Sequence, residues 1–556
     1  MSDRFRMEQP VALPVPLGEQ ARSFVHAVPH ILRAGILSLK SPSDLANWAR
    51  CYARWGFSVG TFLNTAAHYC PRRTAIIDDM GEISYAELHR QALSLAAALQ
   101  SRGVEQGSQV AIIARNSRIT PMTLAACTYL GAVPMIINPG SSAQQISRTI
   151  MDYGAAVVIA DAEFIPTLDV PGLPIIVGYG DAEGLDAVSY QAALAQAPAP
   201  RLQFRPTPGP TVIMSSGTTG TPKGVVRGVP KSPAVAASLL PKIPWRREGV
   251  IQMTCSTYHA WGWLNVNLTF ATKSTTILRR VFDPQQAVED CLRYGVTGIL
   301  SAAVFLREFD KALEALPEEK QRQLRPPEFI ASSGNAIPPT LIQALHARFG
   351  PVVCNFYGST EHGPVASASG PELTVDPTRA GTVAPGVRIA LYKEDGSLAA
   401  PGEKGIIYSA NSESMIGYLS KRDGVDVRDH MLSTGDYGHF DAQGFLHVHG
   451  RCDDMVIKGG ENVYPREVED FLLRQEGIAD VFVRGVRNDI IARLDAYIVR
   501  EESEAGRGLS ADTVRNLVRS HLAQHNIPDF ICWMDSLPRN DAGKVVPRKL
   551  PQPSES

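Results

Sequence analysis

Patterns typical of helices and patterns typical of strands alternate along this chain from about residue 84 onward. Ser84 and Glu87 have the spacing of a capping box, and apolar residues then recur at helical intervals as far as Gly103. Short buried strands are predicted at 110–114 and 133–137, with a helical pattern between them. Such alternation indicates parallel sheets covered by helices, so the predicted fold class is α/β.

The pattern changes after Gly450. A helix is predicted from Pro465 and another after Ser510, with strands near 481–483 and 496–499. This mixture predicts a small α+β unit rather than a continuation of the alternating series.

The segment at 450–465, between the two parts, is rich in glycine and charge, which suits a hinge better than a core. We therefore predict three units: a helical extension at 1–60, a large N-terminal domain of helix-covered sheets at 61–450, and a small mobile C-terminal domain at 451–556. Apolar faces within the extension predict helices that pack on the main body, with contact to a membrane surface as the alternative.

Charge and apolar content exclude several classes of protein. The 556 residues carry 54 Lys and Arg against 56 Asp and Glu, a net charge of −2, which leaves no basic excess for holding nucleic acid. The most apolar uncharged stretch, residues 123–138, is interrupted by Gly131 and Pro134 and is too short to span a bilayer.

The opening residues and the cysteines favour a cytoplasmic protein. The start MSDRFRMEQP has no apolar core behind its basic residues, so no secretory signal is predicted. The eight cysteines include no C-x-x-C pair. This spacing predicts reduced thiols and argues against a disulfide framework and a zinc cluster.

A loop rich in small residues indicates a phosphate site. The predicted strand 211–214 runs directly into SSGTTGTPKGVVRG at 215–228. Small residues let backbone N–H groups curl around an anion, and the hydroxyls and Lys223 add donors and a positive charge. The loop is not a Walker A motif, because Lys223 follows Pro222 and precedes Gly224. The predicted phosphate-binding residues are Ser215, Ser216, Gly217, Thr218, Thr219, Gly220 and Lys223.

With this loop, the chain resembles the adenylate-forming superfamily, which includes acyl-CoA synthetases, peptide-synthetase adenylation domains and firefly luciferase. Within the superfamily, its motifs resemble those of bacterial medium- and long-chain fatty-acid CoA synthetases. The resemblance extends from about residue 61 to 550. The other motifs that carry it, in the family's order, are YHAWGW (258–263), SSGNAIPP (332–339), NFYGSTEHG (355–363), the stretch 433–469 that begins STGDYG, and LPRNDAGKVVPRKL (537–550).

The resemblance implies a first half-reaction in which a carboxylate reacts with the α-phosphate of ATP and pyrophosphate leaves. Glu361 then corresponds to the Mg²⁺ ligand, since a hard cation prefers carboxylate oxygen, and Thr360 to a phosphate contact. Lys544 corresponds to the lysine that reaches across the domain gap to the reacting groups. Asp436 is expected to accept from the ribose hydroxyls, and Arg451 to donate to ribose or phosphate. The expected adenine pocket comprises Gly334, Asn335, Ala336, Asn355, Phe356, Tyr357, Gly358 and Ser359.

The second half-reaction implied by the resemblance transfers the acyl group to a thiol after the small domain rotates. Asp453 corresponds to the hinge residue, and Gly459 and Gly460 to the lining of a pantetheine tunnel. The stretch GVRNDIIARLDAYIV (485–499) departs from the family's pattern, which leaves the contacts to CoA or to a carrier protein open.

The acid is predicted to be apolar. His259 corresponds to the family position beside the substrate carboxylate, and Trp261, Gly262 and Trp263 are candidate pocket residues that could equally be core packing. No acidic residue lies between Glu248 and Asp283 to pair an ammonium group, so an amino acid is disfavoured.

The leading interpretation is a fatty acyl-CoA synthetase using ATP, Mg²⁺ and CoA. Loading of a carrier protein's phosphopantetheine and an aryl-CoA ligase are the alternatives. A nucleotide-binding protein without catalysis is disfavoured, because all the charged motif residues are present. The sequence leaves oligomeric state open, including a homodimer, and predicts no nucleic-acid partner.

Overall fold

The computed structural model describes residues 17–37, 41–196, 202, 206–207, 209–215, 223–230, 234–420, 425–452, 454–458, 461–487, 492–540 and 543–551. The α-helices are α1 (Leu17–Arg33), α2 (Pro42–Trp55), α3 (Val59–Tyr69), α4 (Tyr85–Gln100), α5 (Ile119–Leu130), α6 (Ala143–Asp152), α7 (Tyr190–Gln196), α8 (Ala234–Leu239), α9 (Ala260–Ala271), α10 (Pro284–Tyr294), α11 (Ala303–Glu314), α12 (Glu318–Gln323), α13 (Pro339–Phe349), α14 (Gly370–Val375), α15 (Pro465–Leu472), α16 (Glu504–Gly508) and α17 (Ala511–His521).

The strands are β1 (Thr74–Asp78), β2 (Gly81–Ser84), β3 (Gln109–Ile113), β4 (Val133–Ile136), β5 (Ala155–Ala160), β6 (Ile175–Val177), β7 (Val188–Ser189), β8 (Thr211–Ser215), β9 (Lys223–Arg227), β10 (Val250–Met253), β11 (Thr275–Leu278), β12 (Gly298–Ser301), β13 (Phe329–Ser333), β14 (Val353–Ser359), β15 (Gly363–Ala368), β16 (Thr382–Val383), β17 (Arg388–Tyr392), β18 (Gly405–Ala410), β19 (Gly417–Tyr418), β20 (Val427–Arg428), β21 (Met431–Phe440), β22 (Leu446–Arg451), β23 (Val456–Lys458), β24 (Glu461–Val463), β25 (Ile478–Arg487), β26 (Ala492–Arg500) and β27 (Phe530–Met534).

Two large sheets form the frame of the N-terminal domain. Their strand orders are β16-β15-β14-β13-β12-β10-β11-β1-β2 and β19-β9-β8-β4-β3-β5-β6-β7. The largest apolar core joins both sheets to α3, α4, α5 and α9, with buried Leu88, Tyr129 and Phe270 among its members. Separate cores cover the outer face of each sheet, so helices and sheets alternate in layers, as the α/β interpretation predicts.

The prediction of parallel sheets is right for the interior strands and wrong at the edges. Strands β3, β4 and β5 pair in parallel, as do β10, β12, β13 and β14. In contrast, β8 pairs antiparallel with β9 and β14 antiparallel with β15. Parallel neighbours need a crossover connection of about a dozen residues or more, and the connections 216–222 and 360–362 are shorter than that.

Local signals located several element ends correctly. Ser84 accepts a hydrogen bond from the backbone N–H of Glu87 at the start of α4. Pro465 and Ser510 stand at the predicted starts of α15 and α17. These starts depend on one or two residues next to each other in the chain, which is why the sequence alone identifies them.

The small domain packs α15 and α17 on the sheet β25-β26-β27. The segment predicted as a hinge is partly core, because β23 and β24 pair antiparallel and bury Val456 and Val463. Asp453, the expected hinge residue, and Gly459 and Gly460 lie outside the described residues.

The described residues of the N-terminal region form helices that pack on the main body. The α1 helix lies on α8, α2 lies on α3, and the ring of Trp55 packs 5.0 Å from that of Tyr129 in α5. Among the described residues, no helix has the length and apolar content to cross a membrane. All eight cysteines are free thiols, which agrees with the expectation from their spacing.

A buried ion pair joins β1 to the start of α5. The Asp78 side chain is fully buried. Its carboxylate accepts hydrogen bonds from Nε and Nη2 of Arg118, and the shorter of the two is 2.5 Å. We expect Asp78→Asn to lower the free energy of unfolding by about 3 to 5 kcal/mol, because it leaves the guanidinium buried without its counter-charge. Urea denaturation measures the change.

The control for this prediction is Glu87→Gln, which removes an exposed pair with Arg90. It should cost less than about 1 kcal/mol. Equal effects of the two substitutions would contradict the assignment of a structural role to the buried pair.

Candidate active site

The hairpin of β8 and β9 presents Lys223 beside the predicted phosphate loop. Ser215 pairs with Lys223 across the hairpin, and Ser216, Gly217, Thr218, Thr219 and Gly220 lie outside the described residues. The Lys223 ammonium lies 5.3 Å from the ring centre of Tyr418, whose hydroxyl donates to Glu361 at 3.3 Å. The Lys223 ammonium and the Glu361 carboxylate therefore both contact the side chain of Tyr418.

Glu361 stands at the tip of the β14–β15 hairpin. Ser359 Oγ donates to its carboxylate at 3.0 Å, and the Glu361 carbonyl accepts from the backbone N–H of Met415 at 2.7 Å. Asn411 Nδ2 donates to the carbonyl of His362 at 2.9 Å. These bonds hold the backbone of the tip, so the direction of the Glu361 side chain is restricted.

Sequence reasoning missed Arg227, whose side chain hydrogen-bonds to the backbone of the same hairpin tip. The residue is only 6% exposed, and its Nη1 donates to the carbonyl of Thr360 at 2.9 Å. Burial lowers the pKa of its guanidinium, while Glu413 and Glu361 act in the opposite direction. The signal that could have revealed it is an ionisable residue within the apolar strand KGVVR.

Tyr357, Asp436 and Arg451 form one contiguous group on three strands. The Tyr357 hydroxyl donates to Asp436 Oδ2 at 2.7 Å, and Arg451 Nη1 lies 3.5 Å from Asp436 Oδ1. Burial raises the pKa of Tyr357 well above its usual value, so the phenol stays a donor at neutral pH. Gly435, at φ +71°, makes room for this arrangement, because a Cβ there would lie 2.8 Å from Arg451 Nη2.

The remaining predicted adenine-pocket residues lie on β14 and on the loop that follows β13. Gly334 is exposed, adopts a positive φ of 95° and has open space in front of it. The same loop carries Asn335 and Ala336 at the surface of the cleft. Phe356 is buried on the face of β14 opposite to Tyr357, whereas Asn355 lies on the same face as Tyr357 and donates to the carbonyl of Arg379 at 3.4 Å. The backbone of Gly358 passes close to the Gly363 carbonyl, where a Cβ would lie 2.1 Å away.

His259 is the N-cap residue of α9, but its side chain makes no capping hydrogen bond. Its Nε2 is buried and has no hydrogen-bond partner among the described residues. Burial lowers the pKa of the imidazole to about 4, and the Lys544 ammonium contributes in the same direction. The ring is therefore neutral at physiological pH and offers an unused nitrogen to a ligand.

Lys544 enters this region from the small domain. Burial in the cleft and the charge of Arg451 lower the pKa of its ammonium group, and the carboxylates of Glu361 and Asp436 oppose the shift. The side chain nevertheless keeps a surface accessible to solvent. The lysine predicted from the tail of the sequence thus lies among the groups predicted from the large domain, more than 80 residues away in the chain.

The candidate substrate residues on α9 have different surroundings. Trp261 donates its indole N–H to the carbonyl of Ser301 and stacks on Phe356 at 5.3 Å, which is core packing. Gly262 faces the carbonyl of Ser256, where a Cβ would lie 2.1 Å away. Trp263 alone of the three lines the apolar cleft described next.

An apolar cleft follows α9 away from His259. Its volume is ≈ 990 Å³, part of it open to solvent. From α9 it is lined by Trp263, Leu264, Asn267, Leu268 and Ala271, and from the N-terminal region by Ile36, Phe57, Val59 and Phe62. Trp263 to Ala271 spans about 12 Å along the helix axis.

The lowered pKa of His259 gives a testable pH dependence. The unfolded imidazole binds a proton near pH 6.5 but the folded one only near 4, so the contribution of the neutral ring to folding stability is complete above pH 6.5 and is lost as the pH falls from 6.5 to 4. We expect His259→Gln to remove about 2 kcal/mol of the stability lost between pH 7 and pH 5. Urea denaturation at the two pH values measures this difference, and an unchanged loss in the variant would contradict it.

Comparisons with known proteins identify the family of this chain. The AMP-binding enzyme family matches residues 62–419, and the AMP-binding enzyme C-terminal domain matches residues 467–544. An indoleacetate–CoA ligase of Aromatoleum aromaticum is 29% identical, over 85% of this chain and 94% of its own. A fatty acid–[acyl-carrier-protein] ligase of Streptomyces coeruleorubidus is 26% identical, over 87% of this chain and 94% of its own.

Among solved structures, the O-succinylbenzoate coenzyme A synthetase of Bacillus subtilis in complex with AMP superimposes with a TM-score of 0.74. It is 24% identical, over 88% of this chain and 98% of its own, and supports the fold. Several of the similar proteins are named as ligases of aryl acids, so they do not support the fatty-acid side of the predicted resemblance. The family match covers well over half of the sequence, and the chain therefore belongs to the AMP-binding enzymes, as its motifs predict.

Proposed function

We propose that this chain is an acid–thiol ligase that activates an apolar carboxylic acid through an acyl-adenylate. A carboxylate oxygen attacks the α-phosphorus of ATP, the bond to the β-phosphate oxygen breaks, and pyrophosphate leaves. The sulfur of CoA then attacks the acyl carbon, the thiol proton is lost, and AMP leaves.

The observation that carries this proposal is the position of Lys544. Its ammonium is near enough to Glu361 and Asp436 for their charges to oppose the lowering of its pKa by burial, and near enough to His259 to lower the pKa of that imidazole, whose Nε2 has no partner among the described residues. Two anions that react repel each other, and a cation placed where charge develops lowers that barrier. In this function Lys544 stabilises the reacting carboxylate and α-phosphate, and His259 donates or accepts at the acyl group.

The nucleotide is expected to lie along the group formed by Tyr357, Asp436 and Arg451. The Asp436 carboxylate retains acceptor capacity for ribose hydroxyls beside the bond from Tyr357. The open space before Gly334 suits the edge of a base, and Lys223 suits the phosphates.

The residues present fit a magnesium ion. Glu361 offers a carboxylate next to Lys223, and within the described part of the chain no three acidic, histidine or cysteine side chains cluster as metal ligands. A Mg²⁺ held by Glu361 would therefore take its other ligands from phosphates and water, as this ion commonly does. When bound, the ion would neutralise phosphate charge.

The apolar cleft along α9 favours an alkyl acid. It begins one turn beyond His259, so an acid with its carboxylate at that imidazole could extend its tail past Trp263 toward Ala271. Most of the wall is apolar, with Arg227 and Glu413 as its charged residues, and an apolar wall suits a hydrocarbon tail. We therefore propose a fatty acid of medium or long chain as the substrate.

The similar proteins support two alternatives. An aryl acid is favoured by the names of several relatives, and a carrier-protein acceptor by the name of one. Turnover of a panel of octanoate, palmitate, benzoate and indoleacetate with free CoA, followed by mass analysis, separates the three. Fast thioester formation with a fatty acid supports the proposal, whereas slow turnover with CoA after normal adenylation favours the carrier protein.

We expect Lys544→Ala to reduce acid-dependent exchange between ATP and pyrophosphate about a hundredfold or more, because it removes one cation from the transition state. Lys549→Ala is the matched control, since Lys549 is exposed on the same tail. Near-normal exchange in the Lys544 variant would refute its assignment.

We expect Ala271→Phe to shorten the cleft at its far end, since Ala271 is the cleft residue of α9 that lies furthest from His259. The ratio of kcat/KM for palmitate over octanoate should fall at least about tenfold. Benzoate turnover and the melting temperature control for misfolding, since overpacking alone can cost 1 to 3 kcal/mol. An unchanged ratio in a folded variant would exclude this cleft as the site of the acyl tail.

A further inference from the structure

Arg307, on α11 of the large domain, forms an ion pair with a residue of the small domain. Arg307 Nη1 lies 2.9 Å from Asp480 Oδ1 and donates to the carbonyl of Ala479 at 3.4 Å. The exposed fractions of the Arg307 and Asp480 side chains are 20% and 16%. Because most of the pair is shielded from water, its attraction exceeds that of a surface ion pair.

The same carboxylate holds the turn that carries Lys544. Arg539 Nη2 donates to the two Asp480 oxygens at 3.0 and 2.8 Å, and Arg539 Nη1 donates to the carbonyl of Gly543 at 2.8 Å. Within the turn, the backbone N–H of Asn540 donates to the carbonyl of Lys544 at 2.8 Å. Asp480 is thus bonded both to α11 and to the segment whose end is Lys544.

The turn also touches α11 directly. Gly543 is buried at φ +75°, and a Cβ there would lie 2.1 Å from Val304 Cγ1. Only glycine combines this backbone conformation with this close approach. The contact places the residue before Lys544 against the same helix that carries Arg307.

We infer that Arg307, Asp480 and Arg539 form a latch that holds the small domain in the arrangement required for adenylation. Arg307 is then a positioning residue, which acts through Asp480 and Arg539 on Lys544 and does not touch the reactants. This inference rests on the proposed function. In thioester formation the small domain must leave this arrangement, and the bond between Arg307 and Asp480 breaks, whereas Arg539 and Asp480 move together because both belong to the small domain.

The test compares the two half-reactions in Arg307→Met. This substitution leaves the pair of Asp480 and Arg539 intact, so the small domain keeps its own contacts. We expect kcat for acid-dependent ATP–pyrophosphate exchange to fall about tenfold, as the competent arrangement becomes less populated. Formation of acyl-CoA from isolated acyl-adenylate and CoA should be unchanged or faster.

Two further variants on α11 sharpen the result. Lys311→Met removes a cation one turn away that pairs with Glu308 on the same helix, with 59% and 44% of the two side chains exposed, and both half-reactions should remain normal. Arg307→Lys keeps the charge and should retain most of the exchange activity.

Equal loss of both half-reactions in Arg307→Met, or exchange equal to that of Lys311→Met, would overturn the latch. With either result, normal exchange in the native chain would leave the proposed function intact. Absence of exchange in the native chain with every acid of the panel would instead remove the proposed function, and the latch with it.

Discussion

Two negatively charged reactants can approach each other only where a protein supplies positive charge, and in this chain that charge comes from two domains. Lys223 is fixed in the large domain at the start of β9, whereas Lys544 arrives on a turn of the small domain. Glu361 accepts from Tyr418 beside Lys223, and the charges of Glu361 and Asp436 oppose the lowering of the pKa of Lys544 by burial. The proposed chemistry therefore depends on how the small domain is seated, and not on the large domain alone.

A few specific contacts fix the position of the small domain on the large domain. Gly543 lies against α11, and Asp480 links Arg539 to Arg307. Such contacts fix an orientation but can be broken without disrupting the core of either domain, since the apolar core of the small domain is separate. A ligase that must expose its intermediate to a thiol has use for an interface of this kind.

Sequence reasoning reached those parts of the molecule that depend on neighbouring residues or on motifs. The starts of α4, α15 and α17 follow from Ser84, Pro465 and Ser510, whereas the roles of Glu361, Asp436 and Lys544 come from the family's motifs and stay predictions. It could not reach contacts between distant segments. Two examples are the contacts of Arg227 with Thr360 and of Arg307 with Asp480, each between positions more than 130 residues apart. An isolated arginine in a strand or helix does not identify its partner. The antiparallel edges of the sheets were missed for a different reason: the alternating pattern was extended to consecutive strands whose connections are too short for a crossover.

The proposed first step is the attack of a carboxylate oxygen on the α-phosphorus of ATP. An acid labelled with ¹⁸O in both carboxyl oxygens tests it directly, with the native chain, ATP, Mg²⁺ and CoA, and mass analysis of the nucleotide products. The account predicts AMP that carries one ¹⁸O atom, together with unlabelled pyrophosphate. Formation of ADP with labelled inorganic phosphate, or of AMP without label during thioester formation, would contradict it.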